Sequence, residues 1–469
     1  MTAPPTPAAA STRDEARAPA LPGPREPLGP TLGYLRDPFG YLIRCARRYG
    51  DLFSVPTLLG RVVGCAHPDG VRELFAAPPG SFARWRPDFI VTATGESSLL
   101  ISTGEQHRRD RKLLGPAFHG DRMRAYGQTM RDVALREAAT WSPERPVRLH
   151  GAMLSISMEI ILRTVFGADE TTGLEPLRAA VLSAFERVTP ARLLLGLVSS
   201  AFGGKGPYAR FARMRAWVDP WLTGEIARRR QRESAGGPHR DGGDDILSLL
   251  VSARADDGAT LSDQEIREQI LTLLFAGHET VGSALAWALH LVASNPPVLA
   301  RLLVELDALG DVPPAEALAA APYLGAVCSE TLRLYPPLPD VIRKLLRPMT
   351  VMGHDLPAGT AVAACIAAIH VRPDLFPEPT AFRPERFLER TYAPHEYLPF
   401  GGGDRRCIGS AFSLYQMKLV LGTLLARYRF ELCDRKPVRP VLRNIATGPS
   451  GGVPALVRPR DSAPGHPGT

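Results

Sequence analysis

One cysteine of this chain lies in a glycine-rich turn directly before an apolar helical pattern. Residues 400–409 read Phe-Gly-Gly-Gly-Asp-Arg-Arg-Cys-Ile-Gly, which places an arginine, Arg405, two residues before Cys407. Glycines let a backbone fold tightly around a sulfur atom, and the positive end of the predicted helix, residues 408–426, would stabilise a thiolate. A thiolate can bind haem iron and favour cleavage of an O–O bond. Cys407 is therefore the first candidate for chemistry, although a cysteine outside such a frame is more often a small buried apolar residue.

A second candidate lies in the middle of a long predicted helix. A capping box at residues 262–265 begins it, and nothing breaks the pattern before Pro296, which gives roughly 33 residues or about 50 Å. Within it, residues 276–280 read Ala-Gly-His-Glu-Thr and interrupt a run of bulky side chains. Two interpretations stay open. In the first, Gly277 permits close helix packing and the Thr280 hydroxyl donates to a backbone carbonyl one turn back. In the second, the Thr280 hydroxyl and the neighbouring Glu279 carboxylate transfer protons.

A pair of opposite charges marks a third segment. Glu330 and Arg333 are three residues apart on a predicted helix, residues 322–335, that is apolar on most of its circumference and stops at two prolines. An exposed pair at this spacing contributes little, but a buried charge must be paired. We predict that this pair is buried and serves as scaffolding. A further cationic partner is available in residues 382–387, Phe-Arg-Pro-Glu-Arg-Phe.

A fourth segment combines histidine with several basic residues. His107 and Arg111 are four residues apart on one face of a predicted helix, so both could donate hydrogen bonds to one carboxylate. The neighbouring Arg108, Arg109 and Lys112 would ordinarily form a solvated face, and they also suit a docking surface.

The pattern Phe-x-x-Gly-x-Arg-x-Cys-x-Gly from Phe400 to Gly409 resembles the haem-ligand loop of the cytochrome P450 superfamily at every fixed position. The other segments follow in the order and spacing of that family, and the resemblance covers roughly residues 22–459. It implies that Cys407 is the axial ligand of the iron in haem b, with Phe400 against the cofactor. It also implies that the haem lies between the long helix and the cysteine loop.

The same resemblance assigns roles to the other candidates. The haem propionates would be held by His107, Arg111, Arg343 and Arg405; the family often has tryptophan at the position of His107, and either side chain can donate a hydrogen bond to a propionate.

In the long helix, Glu279 and Thr280 resemble the acid and alcohol that deliver protons during oxygen activation. His278 points to a different helix face and is expected to be an ordinary packed or solvent-reaching histidine. Arg386 would complete a structural triad with Glu330 and Arg333 that supports the cysteine loop.

The substrate pocket is the least determined feature. By analogy with the family, apolar residues line it, among them Ile90, Val91, Leu99, Ala276, Val341 and Ile342. Fatty acids, terpenes, steroids and polyketide-like molecules are all compatible with such a lining. The apolar connection 191–198 could flank an entrance for a substrate or simply pack in the core.

The reaction that the resemblance implies is a haem-thiolate monooxygenation, in which an apolar small molecule is hydroxylated or epoxidised with O2. No flavin or iron–sulfur segment is fused to the chain, so two electrons would come from NAD(P)H through a separate ferredoxin or flavodoxin-type donor and its reductase. Two alternatives are a non-catalytic relative that binds a partner or ligand, and an isomerase or peroxide-driven enzyme. The intact pair Glu279 and Thr280 disfavours both.

Composition agrees with an intracellular enzyme. The chain has 469 residues and a formal net charge of +8, but no basic tract with interleaved aromatic residues, so no nucleic-acid partner is expected. Six cysteines are scattered without CxxC pairs, which is typical of a reducing compartment. Residues 1–30 contain no apolar run long enough to span a membrane. Because membrane-bound members of the family that the chain resembles carry an N-terminal anchor, we expect a bacterial, cytoplasmic, monomeric protein without a transmembrane anchor.

Helical patterns dominate, and strand signals are few. The predicted fold is mainly α with a small β-sheet subdomain, in which Leu52–Val55 pairs with Val62–Ala66 and a further strand covers Ala361–Ile369. We expect one catalytic domain over residues 21–459, because all the motifs would converge on one cofactor. Residues 1–20 are predicted to be a disordered tail and residues 460–469 a flexible one.

Overall fold

The structure is a computed structural model that describes residues 21–58, 60–83, 88–167, 174–185, 209–234, 245–256, 258–434, 436–443 and 446–460. Its α-helices are α1 Leu28–Arg36, α2 Pro38–Tyr49, α3 Pro68–Ala76, α4 Asp88–Thr94, α5 Gly104–Leu114, α6 Asp121–Ala138, α7 Leu149–Phe166, α8 Leu174–Phe185, α9 Ala209–Ser234, α10 Ile246–Ser252, α11 Asp263–Ser294, α12 Pro296–Asp307, α13 Ala315–Ala320, α14 Pro322–Leu334, α15 Ile366–Ile369, α16 Arg386–Glu389 and α17 Ser410–Arg427. Its strands are β1 Leu52–Thr57, β2 Gly60–Cys65, β3 Phe82–Ala83, β4 Val147–Arg148, β5 Val341–Leu345, β6 Met349–Val351, β7 His354–Leu356, β8 Ala361–Ala364, β9 Tyr428–Leu432, β10 Pro440–Leu442, β11 Thr447–Pro449 and β12 Pro454–Pro459. The predicted fold class, mainly α with small sheets, is confirmed.

Helix α11 is the axis of the helical part. It begins at the predicted capping box, where the Glu265 carboxylate accepts a hydrogen bond of 2.8 Å from the Ser262 backbone N–H and the Ser262 hydroxyl accepts one from Glu265 N–H. It ends at Ser294, because Pro296 cannot continue the hydrogen-bond ladder. Over most of its length buried residues lie on every face, with α7, α14 and α17 packed around it. A helix with so few accessible residues must run through the core.

Helix α11 packs tightly against α7 at Gly282. A Cβ atom at this position would lie 2.8 Å from Leu154 Cδ2 and 3.0 Å from Leu154 Cα, which is inside van der Waals contact. At Gly277 a Cβ atom would lie 3.4 Å from the nearest atom of Ile161, an ordinary contact. Close packing of these two helices therefore requires a glycine at position 282. The sequence reasoning did not identify Gly282.

Gly282→Ala is expected to lower the free energy of unfolding by about 1–3 kcal/mol, the usual cost of overpacking, because the backbone of Leu154 would have to move. Gly277→Ala is the matched control, and should leave stability unchanged or raise it by up to about 1 kcal/mol. Urea unfolding of both variants measures the difference. If both variants lost the same free energy of unfolding, this account of the contact between α11 and α7 would be wrong.

The largest sheet has the strand order β1-β2-β8-β5-β3, in which β2 and β8 are parallel and the other pairs antiparallel. The predicted pairing of the first two strands is present, with Leu52 opposite Cys65 and Val55 opposite Val62. Smaller sheets join β4, β12 and β9, β10 with β11, and β6 with β7. The sheet subdomain is thus built around the N-terminal strands, as the sequence indicated.

The prediction of one strand over Ala361–Ile369 is wrong in its second half. Strand β8 ends at Ala364, opposite the last residue of β2, Cys65, so beyond it the ladder has no partner. The chain then turns at Cys365 into the short helix α15, and the N–H of Ala367 donates to Pro339 O at 2.9 Å. An apolar run of alanine and isoleucine is compatible with a strand or a helix. Here the end of strand β2 determines where the strand stops and the helix begins.

Two helix ends also differ from the sequence-based bounds. The sequence predicts a helix over residues 246–255. In the structure it ends at Ser252, and Ala255 N–H donates to Ala259 O at 2.8 Å. The helix after the cysteine begins at Ser410, two residues later than predicted. Differences of this size are ordinary at helix termini.

One helix, α7, has the length and composition of a membrane span, with a mean hydropathy of 1.3 over 18 residues. Within the fold 72% of that window is buried against other elements, which is typical of a core helix.

Several segments lie outside the described residues: the tail 1–20, the connection 191–198, the last nine residues, and most of residues 233–245, whose glycine-rich sequence predicts an exposed loop. Arg460, at the boundary of the last segment, donates to Asp307 at 2.9 Å.

Candidate active site

The loop that carries the cysteine depends on its three glycines, residues 401–403. The first and third have positive φ angles of +64° and +61°, which side chains rarely adopt. A Cβ atom on the second would overlap the ring of Phe75, and one on the third would lie 2.5 Å from Phe75 O. The turn closes where Cys407 N–H donates to Phe400 O at 2.9 Å. The glycine run is thus required both by backbone conformation and by helix α3, which carries Phe75.

The Cys407 thiol lies in a recess. Its side chain is exposed, yet burial by the surrounding protein raises its pKa. A side chain that is both accessible and desolvated is expected where a ligand cavity opens inside a fold. The Gly409 backbone N–H and the charges of Arg111 and Arg406 act in the opposite direction and lower the thiol pKa. These three contributions favour the thiolate, the form that binds metals.

Arg343 lies beside the same loop. Its guanidinium group is 5.0 Å from the ring centre of Phe75 and 4.9 Å from that of Phe82, and it donates to Gly402 O. Burial lowers its pKa to about 10, and repulsion from Arg405 acts in the same direction. A cation held between two aromatic rings is rigidly placed.

Arg405 and Arg111 approach the loop from the other side. Arg405 donates to Ser102 O and, at 3.4 Å, to Leu99 O, while Arg111 donates to Arg406 O at 2.7 Å. These hydrogen bonds connect the cysteine loop with α5 and with the segment that precedes it.

His107 is 7% exposed, and burial followed by the charges of Arg405 and Arg111 lowers its pKa to about 4. It is therefore neutral at pH 7 and can donate one hydrogen bond.

The donor set fits a haem. The charges of Arg111, Arg343 and Arg405 act on one another or on the neutral His107, close to the accessible thiol. The carboxylate of Asp404 also acts on Arg343. Clustered guanidinium groups repel, so a bound anion would stabilise them. A haem brings two carboxylates for these donors and an iron for the sulfur. The structure thus brings together Cys407 and the predicted propionate ligands His107, Arg111, Arg343 and Arg405.

One face of α11 is accessible in the middle of the helix. Between residues 268 and 289, which the structure describes in full, every residue is buried except Ala276, Gly277 and Thr280. Positions i, i+1 and i+4 share a helix face, so these three residues line a hollow. The Thr280 hydroxyl donates to Ala276 O at 2.9 Å, as the packing interpretation expects. Its accessibility leaves that hydroxyl free to exchange this bond for one to a molecule in the hollow.

The two residues before Thr280 are buried. Glu279 is 4% exposed. Burial lowers the pKa of Arg443, which lies after strand β10, and the charge of Glu279 acts against this lowering. His278 is 2% exposed, its Nδ1 lies 2.8 Å from Leu274 O, and burial lowers its pKa to about 4. His278 is a packed, neutral histidine.

The six predicted pocket residues differ in burial. Ile90 and Leu99 are buried, whereas the four others, Val91, Ala276, Val341 and Ile342, are partly exposed. Val341 lies against the cysteine loop, since its Cγ1 is 3.8 Å from the Cβ position of Gly401. Partial exposure inside the fold is what a pocket lining requires. Analogy with the family also places residues 444–450 at this pocket, and Asn444 and Ile445 lie outside the described residues.

Helix α11 also holds the loop that carries Leu99. The Gln269 side chain accepts from Leu99 N–H at 3.1 Å and donates to Ser97 O at 2.8 Å, and the Glu268 carboxylate accepts from Ser97 N–H. Thr272 donates to Ser98 Oγ at 2.7 Å. The sequence reasoning missed this contact. In the sequence, this contact is indicated only by the polar residues Glu268, Gln269 and Thr272 on one face of an otherwise apolar helix.

The three charged residues of the predicted triad lie together in the core. Glu330 and Arg333 are 0% exposed and Arg386 is 2% exposed. Arg333 Nε and Nη2 donate to the two carboxylate oxygens of Glu330 at 2.7 and 2.8 Å, and Arg386 Nε donates to Oε1 at 3.0 Å. The arginines also donate to the backbone between α15 and α16, at residues 370, 377, 378, 379 and 381.

His370 connects this cluster to the cysteine loop. Its Nε2 accepts from Leu398 N–H at 3.0 Å, so its Nδ1 carries the proton and donates to Arg333 O at 3.0 Å. Burial and the charge of Arg333 lower its pKa to about 3, which keeps this neutral tautomer. Leu398 is two residues before Phe400, the first residue of the loop. In the sequence, His370 is a single histidine after the apolar residues 366–369, and nothing there indicates that it connects the triad to the cysteine loop.

Comparison with known proteins agrees with this geometry. The family model for cytochrome P450 matches residues 19–453. Cytochrome P450 135B1 of Mycobacterium tuberculosis is 33% identical over 432 residues, covering 90% of this chain and 88% of that protein, and cytochrome P450 137 of the same organism is 32% identical over 439 residues, covering 91% and 87%. The solved structure of retinoic acid bound cyanobacterial CYP120A1 matches with a TM-score of 0.82 and 27% identity, over 94% of this chain and 100% of that one. The chain therefore belongs to the cytochrome P450 family, and it is a haem monooxygenase.

Proposed function

We propose that this enzyme hydroxylates or epoxidises an apolar small molecule, with Cys407 as the axial ligand of haem b. The observation that carries the proposal is the accessible yet desolvated thiol beneath a cluster of hydrogen-bond donors. When bound, the haem supplies the activation of O2, and the thiolate favours O–O cleavage. His107, Arg111, Arg343 and Arg405 would hold the propionates.

An apolar substrate is supported by the pocket lining and by one neighbour. The six pocket residues carry no charge, and the cyanobacterial neighbour was solved with retinoic acid, an isoprenoid acid. Long apolar molecules with one polar end, such as fatty acids and terpenoid acids, are therefore the first class to test. Apolar pockets bind such ligands mainly through the area they remove from water.

We propose that two electrons come from NAD(P)H through a separate acidic ferredoxin or flavodoxin-type protein. Arg108 and Arg406 are exposed near the cysteine loop and could meet acidic side chains. Arg109 and Lys112 already pair with acids, Arg109 with Asp110 and Glu265 and Lys112 with Asp256, so for these two the structural role is sufficient.

A cytoplasmic monomer remains our proposal for the state in the cell. The six cysteines are free thiols, as a reducing compartment maintains them.

The experiment that tests the function has two steps. Purified holoprotein is titrated with saturated fatty acids, retinoic acid and steroids while the Soret band is monitored, since ligands that displace water from the iron shift it. The best ligand is then incubated with O2, NADPH, ferredoxin and reductase. An oxygenated product containing one atom from O2 is expected. Conversion of the ligand without O2, or by hydrogen peroxide alone at the full rate, would instead identify the isomerase or peroxide-driven alternative.

Thr280→Ala is expected to leave haem content and ligand binding intact but to uncouple turnover, so that electrons end in hydrogen peroxide. The change removes the hydroxyl and the γ-methyl group of Thr280 from the accessible face of α11, which is a small loss of volume. Proton delivery by a placed group contributes about 10²–10⁴ in rate, so its loss should be visible. Product and peroxide per NADPH measure the effect.

Thr280→Ser keeps a hydroxyl at this position and should retain most of the coupling. If Thr280→Ala and the wild type give the same product yield per NADPH, then Thr280 serves only to cap the Ala276 carbonyl, and the proton-delivery role is wrong.

A further inference from the structure

A buried polar cluster joins the middle of helix α11 to the C-terminal hairpin of β10 and β11. Ser283 Oγ lies 3.1 Å from His150 Nε2, and both side chains are buried. The backbone of β11 packs directly on them, because a Cβ atom at Gly448 would lie 2.9 Å from His150 Nε2 and 3.2 Å from Ser283 Oγ. Ser283 is one helical turn after Glu279, so the hairpin covers the helix face on which Glu279 lies.

Arg443 is fixed to this hairpin. Its backbone N–H donates to Ala446 O at 3.0 Å, and its Nη2 donates to Pro449 O at 3.2 Å. Burial lowers the pKa of Arg443, and the charge of Glu279 raises it, so the guanidinium group is within electrostatic reach of the carboxylate. Arg443 is half-buried whereas Glu279 is 4% exposed, which places the arginine on the solvent side of the pair.

Two described histidines of this region, His150 and His278, do not supply a positive charge. Burial and the repulsion of Arg443 lower the pKa of His150 to about 3, so it is neutral. His278 is also neutral and bonds Leu274 O on another face. A buried carboxylate is costly unless it is paired, and the charges of Glu279 and Arg443 act on one another.

We propose that Arg443 is a positioning residue that holds the Glu279 carboxylate in place for proton transfer toward Thr280. This inference rests on the proposed function of Glu279 and Thr280. A proton from solvent binds a Glu279 carboxylate oxygen and leaves it toward the Thr280 hydroxyl, so the carboxylate is regenerated. Arg443 keeps its own protons throughout, since a guanidinium group does not deprotonate in proteins, and it contributes only charge and placement.

Turnover of four variants tests this role. Arg443→Gln should lower product per NADPH several-fold and raise peroxide, as Glu279→Gln does, and the double variant should be no worse than Glu279→Gln alone. Arg443→Lys keeps the charge and should retain most of the coupling, a rescue that a packing role would not give. Arg439→Gln, at an exposed arginine of the same hairpin, is the matched control and should equal the wild type.

Urea unfolding of the same holoproteins supplies a readout independent of turnover. The Glu279→Gln and Arg443→Gln changes should be non-additive by about tenfold or more in the unfolding equilibrium constant. Additive effects on unfolding would overturn the proposal. Wild-type coupling in Arg443→Gln would also overturn it, and weaker binding of retinoic acid by that variant would make Arg443 a substrate ligand instead. A wild type that forms no oxygenated product would instead refute the proposed function, while the unfolding result still decides whether the two residues interact.

Discussion

Cys407→Ala is expected to abolish the long-wavelength Soret band of the reduced carbon monoxide complex and all NADPH-dependent product formation. The thiol is the sulfur atom that the glycine turn holds in the recess; burial raises its pKa, and the Gly409 N–H and the charges of Arg111 and Arg406 act against this rise. An alanine keeps the turn, whose closing hydrogen bond uses only backbone atoms, from Cys407 N to Phe400 O. The loss should therefore be specific to the sulfur and leave the fold intact.

Absorption spectra of the reduced protein with carbon monoxide, together with total haem by alkaline pyridine extraction, measure this result. Cys433→Ala is the matched control, because Cys433 is also exposed but lies after strand β9. It should give the wild-type spectrum. A persistent long-wavelength band in Cys407→Ala, or its loss in Cys433→Ala, would show that the ligand had been assigned to the wrong sulfur.

The parts of the site that the sequence predicted are those encoded over short stretches. The glycine turn around Cys407 spans ten residues, and the capping box of α11 spans four, so each has its pattern complete in the local sequence. The pair Glu330 and Arg333 could be predicted as buried because it lies on a helix that is apolar elsewhere. The third member, Arg386, required the family resemblance, since 56 residues separate it from Glu330.

The parts that the sequence did not predict depend on residues distant in the chain. Gly282 is required by the backbone of Leu154, and His370 is placed by Arg333 and Leu398. The extent of β8 is set by the end of β2. In each case the local residue types are ordinary, and the constraint comes from a neighbour that only the folded chain provides.

Glu330→Ala is expected to yield little or no folded holoprotein. The carboxylate is fully buried and accepts hydrogen bonds from Arg333, Arg386 and the N–H of Arg383. Its removal would leave two guanidinium groups buried without their shared anion. Breaking a buried ion pair in this way costs about 3–5 kcal/mol, a large part of a typical stability of about 5–15 kcal/mol.

Arg333→Lys should fail almost as severely. The guanidinium group of Arg333 makes two hydrogen bonds to the Glu330 carboxylate and three to the carbonyls of residues 370, 379 and 381, and an ammonium group cannot reproduce this planar arrangement. The carbonyl of Arg333 also accepts from His370, which holds Leu398 near the cysteine loop. Loss of the cluster should therefore lower haem incorporation together with stability.

Arg383→Ala is the control within the same segment. Its side chain forms an exposed pair with Glu389, and such surface pairs contribute about 0–1 kcal/mol. Soluble yield, haem per chain and urea unfolding of the three variants separate the two kinds of ion pair. Full haem content and wild-type stability in Glu330→Ala would mean that the buried arginines find sufficient partners in the backbone carbonyls alone, and the support of the cysteine loop would then have to come from His370 and the chain segments it connects.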